Sequence, residues 1–328
     1  MKSIAVAPAK VILTGEHFVV YGVPALVSAV DIYSKTAVST RRDTTIVARS
    51  SSPRCAISIN GEHTRVLEGE RNARKILEPM IRVAQATLNR FGSRNQGLNI
   101  RIDSEIPVGV GLGSSAAVAI STIAAVGKLC KRRLYHETIR QLAFGSERLI
   151  HKIPSGIDQT ISTFGGVIVY QKEKPFRRIS PRQIFPIIVG DTGKRRSTGK
   201  MVSKVRTLLA ERDAFAKRAL RSAGIISRSA LAALRCGDLK RLGQLMNQNH
   251  ELLREIEIST TELDRLVSAA REAGAFGAKL TGAGGGGCMI AVASSNCTSS
   301  VLQAIGHAGG TPYLARMEHR GVRSWLIN

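Results

Sequence analysis

At 328 residues with 43% hydrophobic side chains, the chain is too long for one ordinary core and has enough apolar volume for two, which excludes a disordered chain or a single small module. Its 48 Lys and Arg against 24 Asp and Glu give a formal charge of +24, a balance that attracts anions. The five cysteines (Cys55, Cys130, Cys236, Cys288, Cys297) and seven histidines show no metal-ligand spacing, and the longest apolar stretch, 116–126, falls short of the ~20 residues that span a bilayer.

No signal-like segment opens the chain, so a reducing, cytoplasmic setting without membrane contact is expected. Nucleic-acid binding would also use a positive surplus. However, aromatics are only 4%, no nucleic-acid motif is present, and the basic residues are spread over helical segments rather than gathered in a tail. No specific nucleic-acid partner is therefore expected, and a nucleic-acid-binding protein stands only as the reading from another class.

In chain order, β-branched runs at 5–14, 19–30 and 36–48 predict strands. Residues 72–91 predict a helix with Ile76, Leu77, Met80, Ile81, Val83 and Ala84 on one stripe. Leu98, Ile100 and Ile102 alternate with polar residues as a half-buried strand. That strand runs into a glycine loop, after which small apolar residues continue at helical length to about Cys130. A second helix is predicted over 136–152, stopped by Pro154, and a strand at 166–170 closes the first domain. From 198 to 273 the pattern is helical, 275–292 reads as two strands around a glycine-rich turn, and a helix and a strand near 322–327 follow, with no internal repeat.

The loop reads Pro107, Val108, Gly109, Val110, Gly111, Leu112, Gly113, Ser114, Ser115, Ala116, Ala117. Alternate glycines let backbone amides approach a ligand closely, and the start of the following helix offers free N–H donors and partial positive charge. The segment therefore suits an anion. It lacks the Lys of G-x-x-x-x-G-K-[ST], and Ser114 breaks G-x-G-x-x-G. On its own it reads equally well as a tight turn with a Ser cap.

Three further segments supply context: V-A-P-A-K-V-I-L-T-G-E-H from Val6 to His17, S-G-I-D-Q-T-I-S-T-F-G-G from Ser155 to Gly166, and K-L-T-G-A-G-G-G-G-C from Lys279 to Cys288. Taken with the first loop, they resemble the GHMP small-molecule kinases over nearly the whole chain, and within that family the mevalonate kinases most closely. The resemblance implies an α+β, two-domain GHMP kinase fold. A ribosomal-protein-S5-domain-2-like α/β domain would cover 1–176 and a ferredoxin-like α+β domain 177–328, with the active site in the cleft between them. It also implies transfer of the γ-phosphoryl group of ATP to the 5-hydroxyl of (R)-mevalonate, with phosphomevalonate kinase activity as the alternative. A homodimer is compatible with the resemblance.

Residue roles follow from the same resemblance. Residues 107–117 would bind ATP, and Ser115 and Glu147 would ligate Mg²⁺. Asp158 and Lys10 would form the transfer centre with Thr198 in support, and Glu16 and His17 would meet the substrate. Gly282, Ala283, Gly284 and Gly285 would form a second glycine loop. Whether Asp158 takes the proton or only orients the hydroxyl is left open.

Helical spacing puts Ile139, Leu142, Ala143, Ser146, Leu149 and Ile150 on one face with Glu147 at its edge. Considered singly, Glu147 is a surface carboxylate, Asp158 a turn residue and Thr198 a helix cap. Lys194, Arg195 and Arg196 add positive charge beside Thr198. Ala9 and Phe18 depart from the family pattern, which more often has Gly and a smaller residue there.

Overall fold

A computed structural model describes residues 1–69, 72–132, 134–150, 156–195 and 197–327, with the backbone alone over 146–150. The chain opens with β1 (Lys2–Thr14), a 3-10 turn (Phe18–Tyr21), β2 (Ala25–Thr40), β3 (Ile46–Ser51), β4 (Arg54–Asn60) and β5 (His63–Glu68). Next come α1 (Asn72–Arg90), β6 (Leu98–Ser104), α2 (Ser114–Leu129), α3 (His136–Ile150), α4 (Ile157–Phe164), β7 (Val167–Tyr170) and β8 (Arg177–Ile179). The second half holds β9 (Pro186–Asp191), α5 (Thr198–Glu211), α6 (Asp213–Cys236), α7 (Leu239–Glu255), α8 (Thr261–Glu272), β10 (Gly277–Leu280), β11 (Cys288–Val292), α9 (Thr298–His307), β12 (Thr311–Arg316) and β13 (Arg323–Ile327). Among the described residues no helix is long and apolar enough to cross a membrane.

Two sheets organise these elements. The first has nine strands, in the order β13-β1-β2-β6-β3-β4-β5, with β7 added to β2 and β8 to β7. It forks because β2 is long: Ala25–Ser28 pair with β7 and Ser34–Thr40 with β6. The sheet extends beyond residue 176 at two places, since β8 pairs with β7 and the C-terminal β13 returns to the edge of β1. The second sheet is antiparallel, in the order β10-β11-β9-β12.

Local sequence explains where the strands depart from expectation. The run expected at 19–30 starts late because 18–21 forms the 3-10 turn, which buries Phe18 completely. The run expected at 36–48 breaks after Thr40 because Asp43 accepts from the Thr45 N–H and from the Arg41 guanidinium, an Asx-type turn that ends the pairing. The stop expected at Pro154 lies outside the described residues.

α2 is buried almost all round, so it is a core helix rather than a surface one. Its alanines let it lie close to β1 and β2, where Ser3 Oγ donates to the Ala125 carbonyl (2.7 Å) and Thr36 Oγ1 pairs with Ser121 Oγ (2.7 Å). α4 falls where a turn between helix and strand was expected. Eight residues are too few for a helix stable by itself. Ile157 and Ile161, one turn apart, pack with Ile12, Val27 and Ile168, burial worth about 1.5–3 kcal/mol per side chain. That packing fixes the direction in which Asp158 leaves the helix.

Candidate active site

Lys10 sits on β1 just after a register shift at Pro8/Ala9, paired with Ala29 of β2. Its N–H donates to the Leu112 carbonyl (2.9 Å), so β1 runs alongside the first glycine loop. The Lys10 ammonium lies 3.2 Å from Asp158 Oδ1, with the lysine side chain 5% exposed and the aspartate 30%. The carboxylate is therefore the open half of the pair, available to an incoming group. A Cβ on Gly113 would stand 3.0 Å from Lys10 Cγ and 3.8 Å from Asp158 Cγ, so loop, lysine and aspartate share one contact.

Gly109, Gly111 and Gly113 all have positive φ (82°, 96° and 81°), the left-handed region where side chains are strained. Gly113, rather than a serine, caps α2, and no side chain bonds to that end of the helix. Ser114 instead donates to the Ile106 carbonyl (3.4 Å), while Ser115 is exposed on the first turn of α2. With Val108 and Gly109 exposed as well, the loop presents an open, donor-rich surface for phosphate oxygens.

The second glycine segment is bonded to the rest of the protein through its own backbone donors. Gly285 donates to the Ile258 carbonyl (2.7 Å), Gly287 to Lys194 (3.0 Å) and Cys288 to Val110 of the first loop (3.2 Å). Those donors clasp the protein together. The Gly284 Cβ position lies 2.2 Å from the Ile258 carbonyl oxygen, so no side chain fits there.

Thr198 is the exposed first residue of α5, and the cap is Ser197, which accepts from the Lys200 N–H. Arg195 lies beside the first loop, its Cγ 3.9 Å from the Gly109 Cβ position, and Arg196 lies outside the described residues. The Glu147 side chain also lies outside them.

Glu16 and His17 turn toward the second half of the chain. His17 has φ 59°, and its Nε2–H donates to the Ala283 carbonyl (2.9 Å). Glu16 is buried in an ion pair with Lys279, itself fully buried. Burial raises the Glu16 carboxyl pKa and lowers that of the Lys279 ammonium, and in both cases the partner's charge opposes the shift.

A neutral histidine supports the strand that carries Lys279. His250 Nδ1 accepts from the Leu280 N–H (3.3 Å), so its Nε2–H donates to Asp264 Oδ1 (3.1 Å). Proximity to Asp264 would favour imidazolium, but burial, reinforced by Arg271, outweighs it and lowers the pKa to about 4. The unfolded chain takes up this proton near pH 6.5 and the folded chain only near 4, so stability is full above about 6.5 and falls between those values. The expected loss is on the order of 3 kcal/mol, removed in His250→Gln, as measured by urea unfolding at pH 7 and pH 4.5.

Lys10, Asp158 and the first loop are thus brought together, whereas Glu16 faces Lys279. Sequence reasoning assigned no role to Lys279, Asn249, His250 or Thr281. One signal was present, a lysine within the otherwise apolar Gly-Ala-Lys-Leu strand of β10.

Comparison with known proteins agrees with this geometry. Residues 78–166 match the profile of the GHMP kinases N terminal domain, and residues 228–306 that of the GHMP kinases C terminal. Mevalonate kinase of Pyrococcus furiosus is 39% identical over 331 residues, and that of Thermococcus gammatolerans 40% identical over 332, each alignment covering 98% of both chains. Among solved structures, L. major mevalonate kinase in complex with R-mevalonate superposes with a TM-score of 0.83 at 28% identity, covering 96% of each chain. Methanococcus jannaschii mevalonate kinase gives 0.84 at 29%, covering 96% of this chain and 98% of its own. On near-complete coverage at this identity, the chain belongs to the GHMP kinase family.

Proposed function

We propose that this kinase transfers the γ-phosphoryl group of ATP to the 5-hydroxyl of (R)-mevalonate, giving 5-phosphomevalonate and ADP. The carrying observation is the Lys10–Asp158 pair packed against Gly113 at the start of α2, which sets an open carboxylate and a fixed cation beside the first glycine loop. The near-full-length similarity to mevalonate kinases supports mevalonate as the acceptor.

In this reading the loop 107–117 holds the triphosphate through the N–H groups that follow Pro107, Lys10 faces the charge on the migrating group, and Asp158 receives or orients the acceptor hydroxyl. His17 borders the acceptor pocket, and Thr198 supports the site from α5. Mg²⁺ is implied by the family. Its hard-oxygen preference suits a hydroxyl and a carboxylate alongside phosphate oxygens, so Ser115, exposed at the start of α2, and Glu147 would hold it. When bound, it neutralises triphosphate charge.

Phosphorus NMR of ATP, Mg²⁺ and mevalonate with the protein tests the assignment, the expected result being ADP and 5-phosphomevalonate. A coupled assay with phosphomevalonate, galactose and homoserine as alternatives would overturn it if one of those, and not mevalonate, is turned over. Glu147→Gln is expected to raise the Mg²⁺ concentration needed for half-maximal rate about tenfold, read from a metal titration. An unchanged requirement makes Glu147 a surface carboxylate.

A further inference from the structure

Residues 10–17 are bonded to both halves of the molecule. Lys10 reaches the first glycine loop through Leu112. On the other side, the Ile12 N–H donates to Thr281 Oγ1 (3.0 Å), whose hydroxyl faces the Ile12 carbonyl (3.3 Å). The Gly15 N–H donates to Asn249 Oδ1 (3.1 Å), and His17 donates to the Ala283 carbonyl. The charged link in this set is Lys279, whose ammonium donates to Glu16 Oε1, to the Leu280 carbonyl (2.6 Å) and to the Ile12 carbonyl (3.4 Å). An ammonium has three donors, and three acceptors meet it.

We propose that Lys279 is a positioning residue for phosphoryl transfer: by gripping Glu16 and the Ile12 carbonyl across the two halves of the chain, it fixes the C-terminal end of β1 and hence the place of Lys10 against Asp158. Stability alone is a poor account of the pair, because an apolar pair of similar volume serves a core equally well. What the pair adds is direction, since one ammonium, held on its own side by the Leu280 carbonyl, ties down the 10–17 segment at two points, the Ile12 carbonyl and Glu16 Oε1. Lys10 is two residues from Ile12, so a shift there carries the ammonium away from the carboxylate it now meets at 3.2 Å. The inference rests on the kinase reading and adds a residue that touches neither nucleotide nor acceptor in that reading.

The test compares wild type with Lys279→Met, Glu16→Gln, the apolar double variant Lys279→Met with Glu16→Leu, and Thr281→Val, which removes the two Thr281–Ile12 bonds and leaves the ion pair in place. Melting temperature, kcat and both KM values are measured with the acceptor that the substrate panel identifies. The single charge variants are expected to lose melting temperature and kcat together. In the double variant melting temperature recovers while kcat stays down on the order of 10²-fold, with KM values within about threefold. Thr281→Val is expected to lower kcat with little change in KM or melting temperature.

Recovery of kcat along with melting temperature in the double variant would show the pair to be purely structural and overturn the proposal. So would unchanged kcat in Thr281→Val, which keeps the question decidable if the charge variants fail to fold. A loss confined to the acceptor KM in Glu16→Gln would return Glu16 to substrate binding and equally overturn it. Failure of wild type to phosphorylate mevalonate bears on the acceptor assignment instead, and the wild-type control separates the two.

Discussion

Asp158→Asn is expected to lower kcat by roughly 10²–10⁴ while leaving the circular dichroism spectrum unchanged, the range spanned by loss of a positioned proton acceptor. The amide keeps the shape of the carboxylate and still accepts a bond from the Lys10 ammonium, but it cannot take a proton from an alcohol. Asp158 is the more exposed member of the pair, so substitution there disturbs packing less than substitution of Lys10, whose side chain is 5% exposed. Lys10→Met is expected to give a loss of similar size by removing the cation beside the first glycine loop. A rate within threefold of wild type in Asp158→Asn would remove proton transfer from its role, leaving orientation, and the same result in Lys10→Met would take Lys10 out of the transfer centre.

Gly113→Ala is the second large expected effect. The residue has φ 81°, where an L side chain costs about 1–2 kcal/mol, and the added methyl would meet Lys10 Cγ at 3.0 Å. The backbone term alone predicts a modest fall in melting temperature of a few degrees. The contact with Lys10 predicts more, a drop in kcat on the order of 10²-fold from displacement of the ammonium. Gly92→Ala separates the two terms, because Gly92 has φ 73° with nothing within 4 Å of its Cβ position. Both variants should lose comparable melting temperature, and only Gly113→Ala should lose kcat. Equal kcat in the two would show that the Lys10 contact has no bearing on the reaction.

Local chemistry made part of this site readable in the sequence. The alternate glycines at 109, 111 and 113, between an alternating strand and an Ala-rich segment, identify a strand, an open loop and a helix start. Each of those signals lies within a few residues of the structure it produces. The helical stretch from 198 to 273 was legible for the same reason, resolving into α5, α6, α7 and α8. Asp158 was legible as a residue of interest but not as a helical one. α4 exists because Ile157 and Ile161 find a surface formed by β1, β2 and β7, and eight residues carry too weak a periodic signal to announce it.

The sequence by itself therefore determined the open first glycine loop and the order of the main elements, because backbone conformation at glycine and side-chain periodicity are local properties. Tertiary structure alone decided which charges meet. Glu16 is expected from the resemblance to meet the substrate, and in the fold it is buried against Lys279, 263 positions away, a partner the sequence did not suggest. The segment from Gly282 to Cys288 reads in the sequence as a second glycine loop, and the packing gives three of its backbone donors partners at Ile258, Lys194 and Val110. The physical reason is common to both cases: a buried charge or amide must find a partner, and which partner is near depends on how two sheets pack, which no short window of sequence contains.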